Sequence, residues 1–154
     1  MPVPSRILVP VDLSEGSLGL IQYAIQLARP FNAEIEVIHA WEPPQYVAPD
    51  LLVAAPGWSS ASLEQVAVEA ASKELNELVA KVKETPRPIK HRVVVGEAAS
   101  TVLRIAEEGK HELIIMGTHG RRGLPRLLLG SVAQKLVARA HCPVLTVHLY
   151  EQGK

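Results

Sequence analysis

The sequence predicts an α/β fold on a parallel sheet, and three observations carry that expectation. Short, β-branched apolar runs alternate along the chain with longer segments of helical periodicity, as in successive strand–helix–strand crossovers. The apolar runs show little in–out alternation, which fits strands covered by helices on both faces. The 154 residues, 47% of them hydrophobic, are enough for one compact domain over 1–154 with a substantial core.

Each element follows from its residues. Arg6 to Val11 reads as a fully buried first strand, with Pro10 near its end, where a missing ladder donor is tolerated. Asp12-Leu13-Ser14-Glu15 then offers cap-type side chains ahead of a helix. Its apolar positions are Leu18, Ile21, Ala24, Ile25 and Ala28, and Pro30 closes it. Glu34 to Trp41 is the second strand. From 42 to 60 Pro43, Pro44, Pro49, Pro56 and Gly57 break every period, predicting a long connection. Ser62-Leu63-Glu64-Gln65 has the form of a capping box. A long helix follows, its apolar face drawn by Leu63, Val66, Ala67, Ala70, Ala71, Leu75, Leu78, Val79 and Val82. Ile89 to Val95 is the third strand, Ala99 to Glu108 the third helix, ended by Gly109, and Leu113 to Met116 the fourth strand. Ser131 to Ala140 is the fourth helix and Pro143 to Leu149 the fifth strand.

Composition narrows the function. Sixteen basic residues balance sixteen acidic ones, so neither a nucleic acid nor an anionic membrane is the expected partner. One cysteine, Cys142, supports no disulfide framework or metal cluster and fits a reducing cytoplasm. The first residues lack the pattern of a secretory signal, and no apolar run is long enough to span a bilayer. Cytoplasmic localisation is the expectation.

In open parallel sheets ligands bind beyond the carboxyl ends of strands, where strand order reverses. With the order 3-2-1-4-5, that crevice lies between the first and fourth strands, so Asp12 faces the segment starting at Gly117. That segment, GTHGRRGLPRLLLGS, carries Gly117, Gly120, Gly123 and Gly130 with basic residues between them, from a strand to a helix. Glycines let backbone amides approach an anion closely. Gly130-Ser131 opens a helix whose unpaired amides and dipole favour negative charge. The Ser131 hydroxyl and Arg121, Arg122 or Arg126 add charge-assisted donors. The chemistry suits phosphate, yet the Walker and dinucleotide glycine patterns are both missing.

The spacing Gly117-x-x-Gly120, nine residues, then Gly130-Ser131 resembles the G-x2-G-x9-G-[ST] signature of ATP-binding universal stress proteins. VPVDLSE at the first strand end and CPVLTV at the last extend the resemblance over essentially the whole chain. It implies a Rossmann-like adenine-nucleotide-binding fold of five parallel strands and four helices, usually dimeric through the last strand. It also implies ATP, with Mg²⁺, as the ligand of a nucleotide-dependent stress-response module, read in turn by a regulatory protein partner. Asp12, flanked by Pro10 and Val11, would bind ribose. Backbone at Ala40 would meet adenine, and Met116 and Gly117 would touch adenine and ribose. Gly120, Gly130, Ser131, Val132 and Ala133 would hold the phosphates, with His119, Arg121, Arg122 and Gly123 in the same loop.

Plainer readings stand beside these. Asp12 can cap the first helix, although Ser14 can do so instead. Arg121 and Arg122 can be merely solvated, and His119 can be a loop histidine without a task. The remaining histidines, at 39, 91, 111, 141 and 148, show no metal-ligand spacing. A slow or partner-activated ATPase and a nucleotide-free dimeric scaffold are the alternative functions. The fifth strand, PVLTVHL, would end the sheet with unpaired backbone groups, which predicts a two-fold homodimer through residues 143–149.

Overall fold

A computed structural model of the chain describes residues 2–46, 48, 50–53, 61–118 and 129–149. Five parallel strands form its main sheet: β1 (Arg6–Pro10), β2 (Glu34–Trp41), β5 (Lys90–Val95), β6 (Leu113–Gly117) and β7 (Val144–Val147). They lie in the order β5-β2-β1-β6-β7, which is the expected 3-2-1-4-5 when the five parallel strands alone are counted. The helices are α1 (Gly16–Ala28), α2 (Leu63–Ala80), α3 (Ala98–Glu108) and α4 (Ser131–Arg139). A short antiparallel pair, β3 (Leu52–Val53) with β4 (Ala61–Ser62), falls within the expected connection and leads into α2. Two-residue strands carry no period, so the sequence gives no sign of them.

The absence of alternation in the strands has a direct cause. Successive side chains of a strand point to opposite faces, and both faces here are covered. On one, Ile7, Val9, Ile35, Val37 and Ile115 pack with Leu20, Ile21, Ala24, Ile25 and Ala28 of α1 and Leu75 of α2. On the other, Leu8, Ile38, Ile114 and Met116 pack with Val102, Ile105 and Ala106 of α3 and Ala133 and Leu136 of α4. Of the expected α1 face Ile21, Ala24, Ile25 and Ala28 are buried and Leu18 is half-buried, while Ser17 and Leu20 are buried beside them. On α2, Ala71 and Leu75 are buried while Ala70 is exposed.

Helix starts follow their local chemistry. Ser62 caps α2 as a true box: the Gln65 amide donates to Ser62 Oγ at 3.1 Å and the Ser62 amide to Gln65 Oε1 at 3.0 Å. Glu97 caps α3, its carboxylate accepting the Ser100 amide at 2.8 Å. For α1 the capping expectation fails for Asp12 and Ser14 alike, because the cap position is Glu15 and makes no side-chain cap bond. β7 is shorter than expected. Thr118 donates its amide to Val147 at 3.1 Å, and the chain then leaves the sheet, laying Leu149 against Gly16 of α1. Among the described residues no helix is long and apolar enough to cross a membrane.

Candidate functional site

The chain leaves β1 toward β2 and β5 and returns on the other side to β6, so strand order reverses between β1 and β6. Beyond the carboxyl ends there lies a cavity of about 510 Å³, within the usual size of small-ligand pockets. Every expected site residue that the structure describes lines it. Pro10, Val11 and Asp12 come from the end of β1, Ala40 from β2, and Met116 and Gly117 from β6. Gly130, Ser131, Val132 and Ala133 come from the start of α4. His119, Gly120, Arg121, Arg122, Gly123 and Arg126 lie outside the described residues.

Asp12 is held in place by its own loop. Its Oδ1 accepts from the Ser14 amide at 3.0 Å, the Ser14 hydroxyl at 2.5 Å and the Ser17 hydroxyl at 3.2 Å. Between them Leu13 takes a left-handed φ of 61° while its side chain packs on the core. That conformation costs about 1–2 kcal/mol for a residue with a side chain, and the bonds to Asp12 offset it. The carboxylate therefore shapes the turn and lines the cavity at once. His39 braces the same strand end, its Nδ1 2.9 Å from the Val11 carbonyl; an acceptor there requires the proton on Nδ1.

The start of α4 differs from expectation in one respect. The Gly130 amide is not presented to the cavity but donates to the Thr118 carbonyl at 3.0 Å. Gln134 is the first intrahelical donor, to the Gly130 carbonyl at 2.9 Å. The amides of Ser131, Val132 and Ala133 thus have no acceptor within the helix and are the ones α4 offers to an anion. Gly130 serves through its missing side chain instead: a Cβ would come within 3.2 Å of the Thr118 carbonyl.

A Thr118 hydroxyl–His148 Nδ1 contact of 2.9 Å ties this turn to the segment after β7. Glu97 also lines the cavity, and its carboxyl is lowered to about 2 by hydrogen bonds from the Ser100 amide and hydroxyl, with Lys135 adding to them. Three carboxylates, Asp12, Glu42 and Glu97, are among the described lining.

The family model described as the universal stress protein family matches residues 4–148. The chain belongs to the universal stress protein family. It is 34% identical over 142 residues to a universal stress protein of Methanocaldococcus jannaschii, covering 92% of this chain and 81% of that one. A universal stress protein solved in complex with cAMP superposes with a TM-score of 0.67 at 26% identity, over 97% of this chain and all of that one. The fold is also that of an Archaeoglobus fulgidus universal stress protein in complex with dAMP, with a TM-score of 0.63 at 20% identity, covering 94% and 98%.

Several lining residues of this universal stress protein were not anticipated. Ser14 and Ser17 follow Asp12 by two and five residues, and their hydroxyls were a readable sign. Glu42 and Glu97 follow the second and third strands, and the rule that ligands gather at carboxyl ends points to both. Leu149 carries no such sign; it reaches the cavity only because the chain folds back beyond β7.

Proposed function

We propose that this universal stress protein binds an adenine nucleotide, with ATP and its Mg²⁺ as the working ligand, and acts as a nucleotide-dependent regulatory module. The observation that supports this most is the convergence of a fixed carboxylate and a helix start on one cavity at the reversal of strand order. Sugar hydroxyls are donors and suit Asp12. Phosphates suit the amides of Ser131, Val132 and Ala133. An aromatic base suits the apolar wall of Ala40, Val102, Met116 and Ala133. The cAMP and dAMP complexes of other family members support the same class of ligand.

Among the described residues no three His, Cys, Asp or Glu side chains gather as a metal nest. Mg²⁺ would therefore arrive on the phosphates, which is its usual mode. Hydrolysis would require a group aligning water at the γ-phosphate. The carboxylates among the described lining residues, Asp12, Glu42 and Glu97, follow the ends of β1, β2 and β5, so binding rather than turnover is the proposed activity.

Calorimetric titration with ATP, ADP, AMP and cAMP, with and without Mg²⁺, tests this reading. Saturable binding of at least one of them, one per chain, is expected. No heat with any of the four overturns the proposal. Rapid phosphate release in a single-turnover experiment would replace the module with an ATPase.

A further inference from the structure

We propose that His148 is a positioning residue for the phosphate end of the cavity. Through the Thr118 hydroxyl it steadies the start of α4, and so it sets the preference for a phosphorylated ligand over the bare nucleoside. The inference rests on the nucleotide-binding reading above and concerns a residue that is not among the described cavity lining.

A helix start holds an anion well only when its amides are already aimed, because ordering them on binding costs affinity. The amides in question are those of Ser131, Val132 and Ala133. Directly before them the Gly130 amide donates to the Thr118 carbonyl at 3.0 Å. Thr118 is therefore the point on the sheet to which the start of α4 is fastened. It lies one residue beyond β6, so its neighbours have to hold it.

The end of β7 does so. Gly117 is in register with Val147, which makes Thr118 and His148 the next pair along. The Thr118 amide donates to the Val147 carbonyl at 3.1 Å, and the Thr118 hydroxyl lies 2.9 Å from His148 Nδ1. The residue after His148 is anchored too. Leu149 packs with the α1 cluster, its Cδ1 3.0 Å from the place where a Cβ on Gly16 would stand. The short segment carrying His148 is thus tied to α1 through Leu149 and to the start of α4 through Thr118.

Without the imidazole, the link from Thr118 to Gly130 keeps its bond but loses this restraint on its direction. The opposite wall is spared. Asp12 and Ala40 come from the ends of β1 and β2, which lie on the far side of β6 from β7. Contacts with ribose and base therefore survive, and the loss falls on the phosphates.

The deciding experiment titrates the full chain calorimetrically with ATP and Mg²⁺ and then, by displacement of that ligand, with adenosine. The wild type is expected to bind ATP more tightly. His148→Ala should weaken ATP about three- to tenfold and adenosine less than about twofold. Thr118→Val removes the other half of the contact and should reproduce that split. The double variant should lose no more than either single one, as expected of two groups that act as a unit. Ser62→Ala weakens the cap of α2 outside the described lining. It should lower the melting temperature and leave the ratio of the two affinities as in the wild type.

A ratio that His148→Ala does not move overturns the proposal, as does one that Ser62→Ala lowers equally. Additive losses in the double variant overturn it as well, since the two side chains would then act separately. Adenosine bound by the wild type as tightly as ATP sinks this inference while leaving an adenine-binding protein in place. Absence of binding by every nucleotide sinks both.

Discussion

Asp12 holds together a turn and lines the cavity at the strand ends, so its substitutions separate the turn from the proposed contact with ribose. Asp12→Ala removes the acceptor of Ser14 and Ser17. It should weaken ATP by about 1.5–3 kcal/mol, the worth of a hydrogen bond to a charged group, and lower the melting temperature too. Asp12→Asn keeps an oxygen for the turn and loses the charge; it should weaken ATP while melting close to the wild type. Calorimetry paired with thermal denaturation checks both, and undiminished affinity in either variant takes Asp12 out of the site. Gly130→Val presses a branched side chain on the Thr118 carbonyl, 3.2 Å from the Cβ position. Binding should be lost in a protein whose circular dichroism is unchanged. Normal ATP binding by that folded variant would mean that phosphates do not lie at the start of α4. The sequence showed that Gly130 matters but not how, since the direction of an amide depends on the partner it finds, here the Thr118 carbonyl.

Helix termini carry the next set of expectations. The reciprocal bonds at Ser62 and Gln65 make Ser62→Ala cost about 1 kcal/mol, readable as a shift of the urea midpoint at constant slope. Glu97 gives α3 an acid dependence. Its carboxyl is lowered from the usual 4.5 to about 2 by its bonds to Ser100 and Lys135. A depressed folded-state value stabilises the protein above the unfolded value, and the contribution fades as pH falls from 4.5 toward 2. Glu112, lowered by the Ser5 hydroxyl and amide, acts in the same direction. Melting temperature should therefore fall more steeply on acidification for the wild type than for Glu97→Gln; parallel curves would contradict the capping role. The capping box at Ser62 was legible because it is a four-residue pattern. The Glu97 cap was not, because glutamate at a helix start is ambiguous without its partner.

For the molecule as a whole, β7 ends the sheet beyond β6, and strands left at an edge are normally covered or paired. A two-fold dimer through residues 143–149 is the expected state, and light scattering at micromolar concentration should return twice the chain's 16.7 kDa. A monomeric mass would refute it. The succession of elements and the coverage of both sheet faces were already written in the chain, because periodicity is local and a doubly covered strand must be apolar throughout. The glycine spacing and Asp12 likewise pointed to one crevice, and Asp12, Gly117 and Gly130 do line a common cavity, since a parallel sheet brings its strand ends to one side. The meeting of Glu42, Glu97 and Leu149 with that crevice, the turning of the Gly130 amide to Thr118 and the burial of Ser17 and Leu20 beside the expected α1 residues came from the folded chain. Each depends on neighbours brought together by crossovers from distant segments, and no window of sequence contains both partners.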